Sequence, residues 1–148
     1  MNRYILFFLI PFFISCTKQS FQMGDIFFQD LDCGPPCEAI EAVTSGYQGA
    51  QLSHCAIITY VGSSEHDTIL TEAIGEEVTE TTLSDFLNRN NKVFVGRLKD
   101  EYQYMIPDAI AHIQNNLTGK PYDYIFDITD DTYYCSEIIY EGLKVADD

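Results

Sequence analysis

Two runs constrain this chain more than anything else in it: residues 53–61, Ser-His-Cys-Ala-Ile-Ile-Thr-Tyr-Val, and residues 68–74, Thr-Ile-Leu-Thr-Glu-Ala-Ile. Both are rich in β-branched and apolar residues, and the turn-rich stretch 62–67 separates them, so they read as an antiparallel hairpin. Side chains alternate between the faces of a strand. His54, Ala56, Ile58 and Tyr60 therefore share one face, and Cys55, Ile57, Thr59 and Val61 the other. His54 opens its strand and Glu72 falls late in the next. Antiparallel pairing brings those two ends together, within reach for a carboxylate to fix the tautomer of the imidazole.

Around this hairpin the pattern predicts further strands at 23–29 and 92–98 and a short helix at 36–43. One or two helical turns are expected at 82–87. A longer helix is expected within 101–117, where Ile106, Ile110, Ile113 and Leu117 form an apolar stripe and Pro107 suits a first turn. Residues 75–78 are expected to leave the sheet. The result is an α+β chain, an antiparallel sheet packed against helices. Its 148 residues suffice for one core. No internal repeat, glycine-rich phosphate loop or metal-type Cys/His spacing is present, and no cofactor is implied.

The stretch Tyr133-Tyr134-Cys135-Ser136-Glu137-Ile138-Ile139-Tyr140 places a cysteine where an aromatic segment turns into an apolar-periodic one, with Ile138, Ile139, Leu143 and Val145 near helical spacing. A cysteine at a helix N-terminus faces free backbone N–H groups and the positive end of the macrodipole. Both favour a thiolate, and the same N–H groups suit an oxyanion. The plainer reading of such a cysteine is a small buried hydrophobe. A nucleophile needs a base, and His54 with Glu72 offers one, although Glu76 and Glu77 compete with Glu72 for the orienting role. His66 and His112 read as a loop and a surface histidine.

At the other end, Asn2-Arg3 precedes an apolar run at 4–14, too short to span a bilayer, which ends in Phe13-Ile14-Ser15-Cys16. This resembles a bacterial lipobox. Residues 1–16 are then a signal peptide, Cys16 the lipidated first residue of the mature protein, residues 17–22 a tether and residues 23–148 the domain. The expectation is an exported lipoprotein anchored in a bacterial envelope membrane. Cys33 and Cys37 flank Gly34-Pro35-Pro36, close enough to bridge, and an oxidising compartment preserves disulfides. With 23 acidic against 8 basic residues and a formal charge of −15, the chain has no basic patch for nucleic acid.

Taken together, Gly24-Asp25-Ile26-Phe27-Phe28-Gln29, Ser53-His54-Cys55-Ala56-Ile57, Thr71-Glu72-Ala73-Ile74-Gly75, Gly119-Lys120-Pro121-Tyr122-Asp123 and Tyr134-Cys135-Ser136-Glu137 resemble the permuted papain-like members of the NlpC/P60 superfamily, the YiiX/YebB-like amidases. The resemblance implies a circularly permuted papain-like fold with the nucleophile opening the last helix. By it, Cys135 is the nucleophile, His54 the base and Glu72 the orienting residue, with no metal or cofactor. Asp25, Tyr122 and Tyr134 are candidates to line the substrate cleft, a turn or packing role being the alternative for Asp25 and Tyr122. The implied activity is hydrolysis of an amide or peptide bond, with peptidoglycan-derived peptides as one substrate class. Thioester hydrolysis or acyl transfer on lipid-like substrates, or binding without turnover, are the alternatives. An amidase calls for a polar groove and an acyl-directed enzyme for an apolar one. A zinc site formed by His54, Glu72 and Cys135 is a further, minor alternative.

Overall fold

The computed structural model describes residues 20–44, 46–89 and 92–147. The expected hairpin forms as β2 (His54–Tyr60) and β3 (Ile69–Ile74), antiparallel, with Ile57 opposite Thr71 and Ile58 opposite Leu70. β1 (Ile26–Gln29) pairs with the other edge of β2, Gln29 lying opposite His54, and β5 (Val93–Gly96) pairs with β1. The sheet is not finished at β3, however. Residues expected to leave it form β4 (Glu77–Thr82), which pairs with the whole of β3 after a two-residue turn in which Gly75 has a φ of 64°. Glycine reaches that conformation without steric cost. The strand was hidden because its sequence, Glu-Val-Thr-Glu-Thr-Thr, carries one apolar side chain, as suits a strand solvated along one edge. The strand order is β4-β3-β2-β1-β5.

Apolar residues on both faces of the central strand set the layers. Cys55 and Ile57 of β2, with Ala73 and Val78, bury themselves against Ile113, Leu117, Ile138 and Ile139. Those residues belong to α3 (Ile106–His112) with its π-helical continuation (Ile113–Leu117), and to α4 (Cys135–Asp147). On the other face Phe27, Ala56, Ile58 and Leu70 meet Leu83 and Phe86 of α2 (Leu83–Arg89). The expected long helix at 101–117 is thus three pieces, a 3-10 segment (Asp100–Met105) leading into α3 and then the π turn. Pro107, near the first turn of α3, lacks the N–H that would extend an α-helix backwards.

Packing of α4 on α3 fixes where α4 begins. A Cβ on Gly142 would stand 2.8 Å from the Ile113 side chain and 3.1 Å from the Ala109 carbonyl oxygen, so only glycine admits this approach. Ile138, fully buried, and Ile139 then hold the helix to the sheet, each such side chain contributing about 1.5–3 kcal/mol on burial. The first turn of α4 is thereby pinned at the end of β2 where His54 lies. Residues 1–16, with Cys16, and residues 17–19 of the expected tether lie outside the described residues. Among the described residues no helix is long and apolar enough to cross a membrane.

Candidate active site

His54 and Glu72 meet just beyond the paired part of the β2–β3 hairpin, Nε2 of the imidazole 2.6 Å from Oε2 of the carboxylate. Glu72 is wholly buried, and a buried carboxylate needs more than one partner to remain charged. Arg89, at the end of α2, supplies the second: Nη1 donates to Oε2 at 2.7 Å and Nη2 to Oε1 at 2.6 Å. Phe86, one helical turn earlier, stacks on the His54 ring at 6.0 Å and carries the Arg89 guanidinium on its ring at 5.6 Å. Burial alone would raise the Glu72 pKa, but hydrogen bonds from His54 and Arg89 bring it down to about 2. Glu76 and Glu77 are exposed at the β3–β4 turn, so the rivals for this role lie outside the site.

The other imidazole nitrogen is left for Cys135. The ladder between β2 and β3 begins at Ile57 and Thr71 and does not extend to residues 54–56. At this end of the sheet the first residue of α4, Cys135, packs against Cys55 and its neighbours. The groups that act on its sulfur are Cys55, through side chain and backbone, and the His54 ring. The Cys55 hydrogen bond is the largest influence, and with the His54 bond and charge it outweighs burial, bringing the Cys135 pKa down to about 4. For His54, burial pulls the pKa down, while hydrogen bonds and charge attraction from Cys135 and Glu72 raise it to about 9. The Cys55 thiol is pushed well above its ordinary value, first by its interaction with Cys135 and then by burial. The shifts of Cys135 and His54 both favour a thiolate beside an imidazolium.

A cleft runs past this pair in two adjoining halves. One, of about 330 Å³, is lined by His54, Ala73, Ile74, Tyr122 and Tyr124. The other, of about 400 Å³, is lined by Cys135, Ser136, Tyr134, Ala39 and Val43. Pro36, Ile40, Ser53 and Phe126 border both. Pro36 and Ile40 come from α1 (Pro35–Val43), which a disulfide between Cys33 and Cys37 ties to the loop before it, the two Cα atoms 5.4 Å apart. The lining is predominantly apolar.

Tyr122 and Tyr134 thus border the cleft. Burial first, with the charge of Cys135 second, pushes the Tyr122 phenol up to about 12, so it enters the site as a neutral hydroxyl. Asp25 does not line the cleft, and that expectation is corrected. It is fully buried at the far end of β1, where its two oxygens take Nε and Nη2 of Arg97 at 2.6 and 2.7 Å. Its backbone faces Ile58, four residues along β2 from His54, about 13 Å at strand rise.

Sequence reasoning missed Arg89, Cys55 and Phe126. Arg89 carried no signal, because a basic residue ending a helix is ordinarily a solvated cap. Cys55 did, in its place directly after the histidine, yet strand alternation sends it to the opposite face. It reaches Cys135 because α4 packs on that face.

A family described as permuted papain-like amidase enzymes, YaeF/YiiX, C92, matches residues 20–147. The uncharacterized protein YiiX of Escherichia coli strain K12 is 27% identical over 127 residues, 84% of this chain and 58% of that protein. A crystal structure of YiiX from Escherichia coli O157:H7, described as a metalloprotein, superposes with a TM-score of 0.61 at 27% identity, covering 84% of this chain and 66% of that one. The chain therefore spans less than two thirds of either relative's length. The family match covers nearly the whole described domain, with its antiparallel sheet and a terminal helix that opens on a cysteine: this chain belongs to the permuted papain-like amidases of the YaeF/YiiX, C92 family.

Proposed function

We propose that this protein is a cysteine hydrolase working through Cys135, His54 and Glu72. The observation that supports it is an imidazole held by a buried, arginine-clamped carboxylate at the cleft onto which Cys135 opens the last helix. The thiolate attacks the carbonyl carbon, forming a C–S bond as the carbonyl electrons move to oxygen. The oxyanion is met by N–H groups at the start of α4, which have no acceptor within the helix. The imidazolium gives its proton to the leaving nitrogen or oxygen as that bond breaks. Neutral His54 then deprotonates water, which attacks the thioester, releases the acid and restores the thiolate–imidazolium pair. Glu72 balances the imidazolium charge throughout, and Arg89 keeps Glu72 aimed.

The relative solved as a metalloprotein raises the question of a metal here. Among the described residues no group of three His, Cys, Asp or Glu side chains is disposed to hold one, and both Glu72 oxygens are already taken by His54 and Arg89. These residues do not fit a metal centre, so no step is drawn through one.

An amide is the substrate class that the family's description suggests, and a place in the envelope rests on the sequence alone. A second reading, acyl-thioester or lipid-ester hydrolysis, is favoured by one observation, the apolar lining beside Cys135 from Pro36, Ala39, Ile40 and Val43. Export and a lipid anchor at Cys16 complete the proposal and rest on the sequence. Hydrolysis of dipeptide amides and of p-nitrophenyl acyl esters, by wild type and Cys135→Ala, tests the reaction. Replacing the nucleophile is expected to remove about ten-thousand-fold of the rate or more with the melting temperature nearly unchanged. Full turnover by the variant would end the proposal.

A further inference from the structure

Phe126 combines two properties that no other described residue of the cleft shares. Its φ is 58°, in the left-handed region where a Cβ crowds the backbone and a bulky aromatic is an outlier. Its ring also borders both halves of the cleft, the one with His54 and the one with Cys135. The neighbouring chain enforces this conformation. Asp123, almost wholly buried, accepts hydrogen bonds at 2.6 Å from the N–H of Ile125 and at 2.6 Å from that of Asp127, the amides either side of Phe126. The Tyr124 hydroxyl donates to the Gly75 carbonyl at 2.6 Å, tying the same loop to the β3–β4 turn. The ring then rests against Tyr134, centroids 5.3 Å apart, while remaining about half exposed. Strain of this kind persists where the surroundings over-determine it, and a half-exposed ring gains little burial in return.

We propose that Phe126 is a specificity-determining residue whose ring divides the cleft. One arm runs from Cys135 along α1 over Ala39 and Val43, and suits an unbranched apolar group on the carbonyl side of the scissile bond. The other runs past His54 beneath Tyr122 and Tyr124, and receives the leaving group that His54 protonates. This rests on the cysteine-hydrolase reading for the direction of attack. The division of the cleft itself requires only that Cys135 be reachable. α1 borders both arms through Pro36 and Ile40, and Phe126 borders both from the loop that Asp123 and Tyr124 hold. Groups too broad for the slot beside the ring are excluded.

The test uses alkylation of Cys135, which needs a thiolate but no turnover, so it reports even if no substrate is hydrolysed. Wild type, Phe126→Ala and Phe126→Gly are reacted with iodoacetamide and with N-benzyl and branched N-alkyl iodoacetamides. In Phe126→Ala the ratio of the bulky-reagent rate to the iodoacetamide rate is expected to rise about tenfold, the scale of one lost apolar pocket contact. Phe126→Gly should show the same ratio yet melt higher than Phe126→Ala, because glycine adopts the left-handed conformation freely. A ratio unchanged in both variants overturns the proposal. So does one that follows their melting temperatures, for then the loop's rigidity and not the ring sets access. The expected rise in the alkylation ratio, with no hydrolysis of any ester or amide by wild type, would instead sink the proposed function and leave this inference standing.

Discussion

Glu72 and Asp25 are chemically the same device placed at two ends of one sheet. Each carboxylate is fully buried, and each is gripped by both arms of an arginine, Arg89 for the first and Arg97 for the second. Each arginine stays partly exposed, its side chain 26% accessible at Arg89 and 41% at Arg97. The difference lies in the third partner. Asp25 accepts the backbone N–H of Gln22 and so ties down the turn that enters β1. Glu72 instead meets the imidazole of His54. A buried carboxylate–arginine pair is thus not in itself a mark of chemistry. What converts it is a titratable neighbour that opens onto a cleft.

Glu72→Gln should break the comparison most sharply. The amide has one oxygen where the carboxylate meets three donors with two, so in either orientation its NH₂ opposes an Arg89 N–H; with the NH₂ in the place of Oε2 it also faces His54 Nε2 and forces the ring proton onto the nitrogen facing Cys135. By analogy with other triads in the wrong tautomer, a loss of about a thousandfold or more in kcat/KM is expected. Cys135 alkylation near neutral pH should slow in parallel. Retained activity would show that Glu72 is a packing carboxylate like Asp25.

Asp25→Asn should do the reverse. The Arg97 left behind is 41% accessible and stays solvated, so the cost is that of weakened charge-assisted hydrogen bonds, about 1.5–3 kcal/mol, read as a lower denaturation midpoint at unchanged m-value. Cys135 alkylation and hydrolysis below the melting range should stay at wild-type level, since Asp25 sits four residues of β2 away from the imidazole. Lost reactivity in folded Asp25→Asn would return Asp25 to the site and erase the distinction.

The pH response sharpens the same contrast. Thiolate and imidazolium coexist between about 4 and about 9, so kcat/KM should be bell-shaped with limbs near those values. The signs for stability differ by group. His54, raised above its ordinary 6.5, contributes stability that is complete below that value and is lost as pH climbs through about 9. Glu72, lowered from 4.5, contributes stability present above that value and lost as pH falls through about 2. Urea midpoints across this range should change less in Glu72→Gln at the acid end than in wild type. An unaltered acid-side dependence would mean that Glu72 does not supply it.

The legibility of the two carboxylates in the sequence differs for the same physical reason. Glu72 is readable because the β2–β3 hairpin is local: a short connection brings the start of one strand and the end of the next together, although the ladder itself stops at Ile57 and Thr71. Cys135 was readable from helical periodicity, and its meeting with His54 followed once the family resemblance ordered the motifs. Asp25 was misread because its partner, Arg97, lies 72 positions away on an element whose pairing with β1 no local pattern specifies. β4 failed for want of apolar residues, and Cys55 because alternation describes a strand's faces without saying which helix covers each. Features set by neighbours along the chain came through, and those set by distant packing did not.

The disulfide supplies the smallest expected effect, and it separates the floor of the cleft from its chemistry. Cys33 and Cys37 are four positions apart, so the loop they close is short. Chain-entropy arguments for so short a loop give about 2 kcal/mol of stabilisation. The bridge nevertheless sits at the first turn of α1, the helix whose Pro36 and Ile40 border both halves of the cleft. Neither cysteine touches Glu72 or His54 through a hydrogen bond. Cys33→Ser with Cys37→Ser should therefore loosen substrate positioning without altering the thiolate, raising KM by about threefold to tenfold, the scale of one apolar contact, at nearly constant kcat. Alkylation by iodoacetamide should keep its wild-type pH profile. If the acid limb moved instead, the disulfide would be coupled to the charge state of Cys135, and α1 would belong with the carboxylate-clamped machinery and not with the cleft's walls.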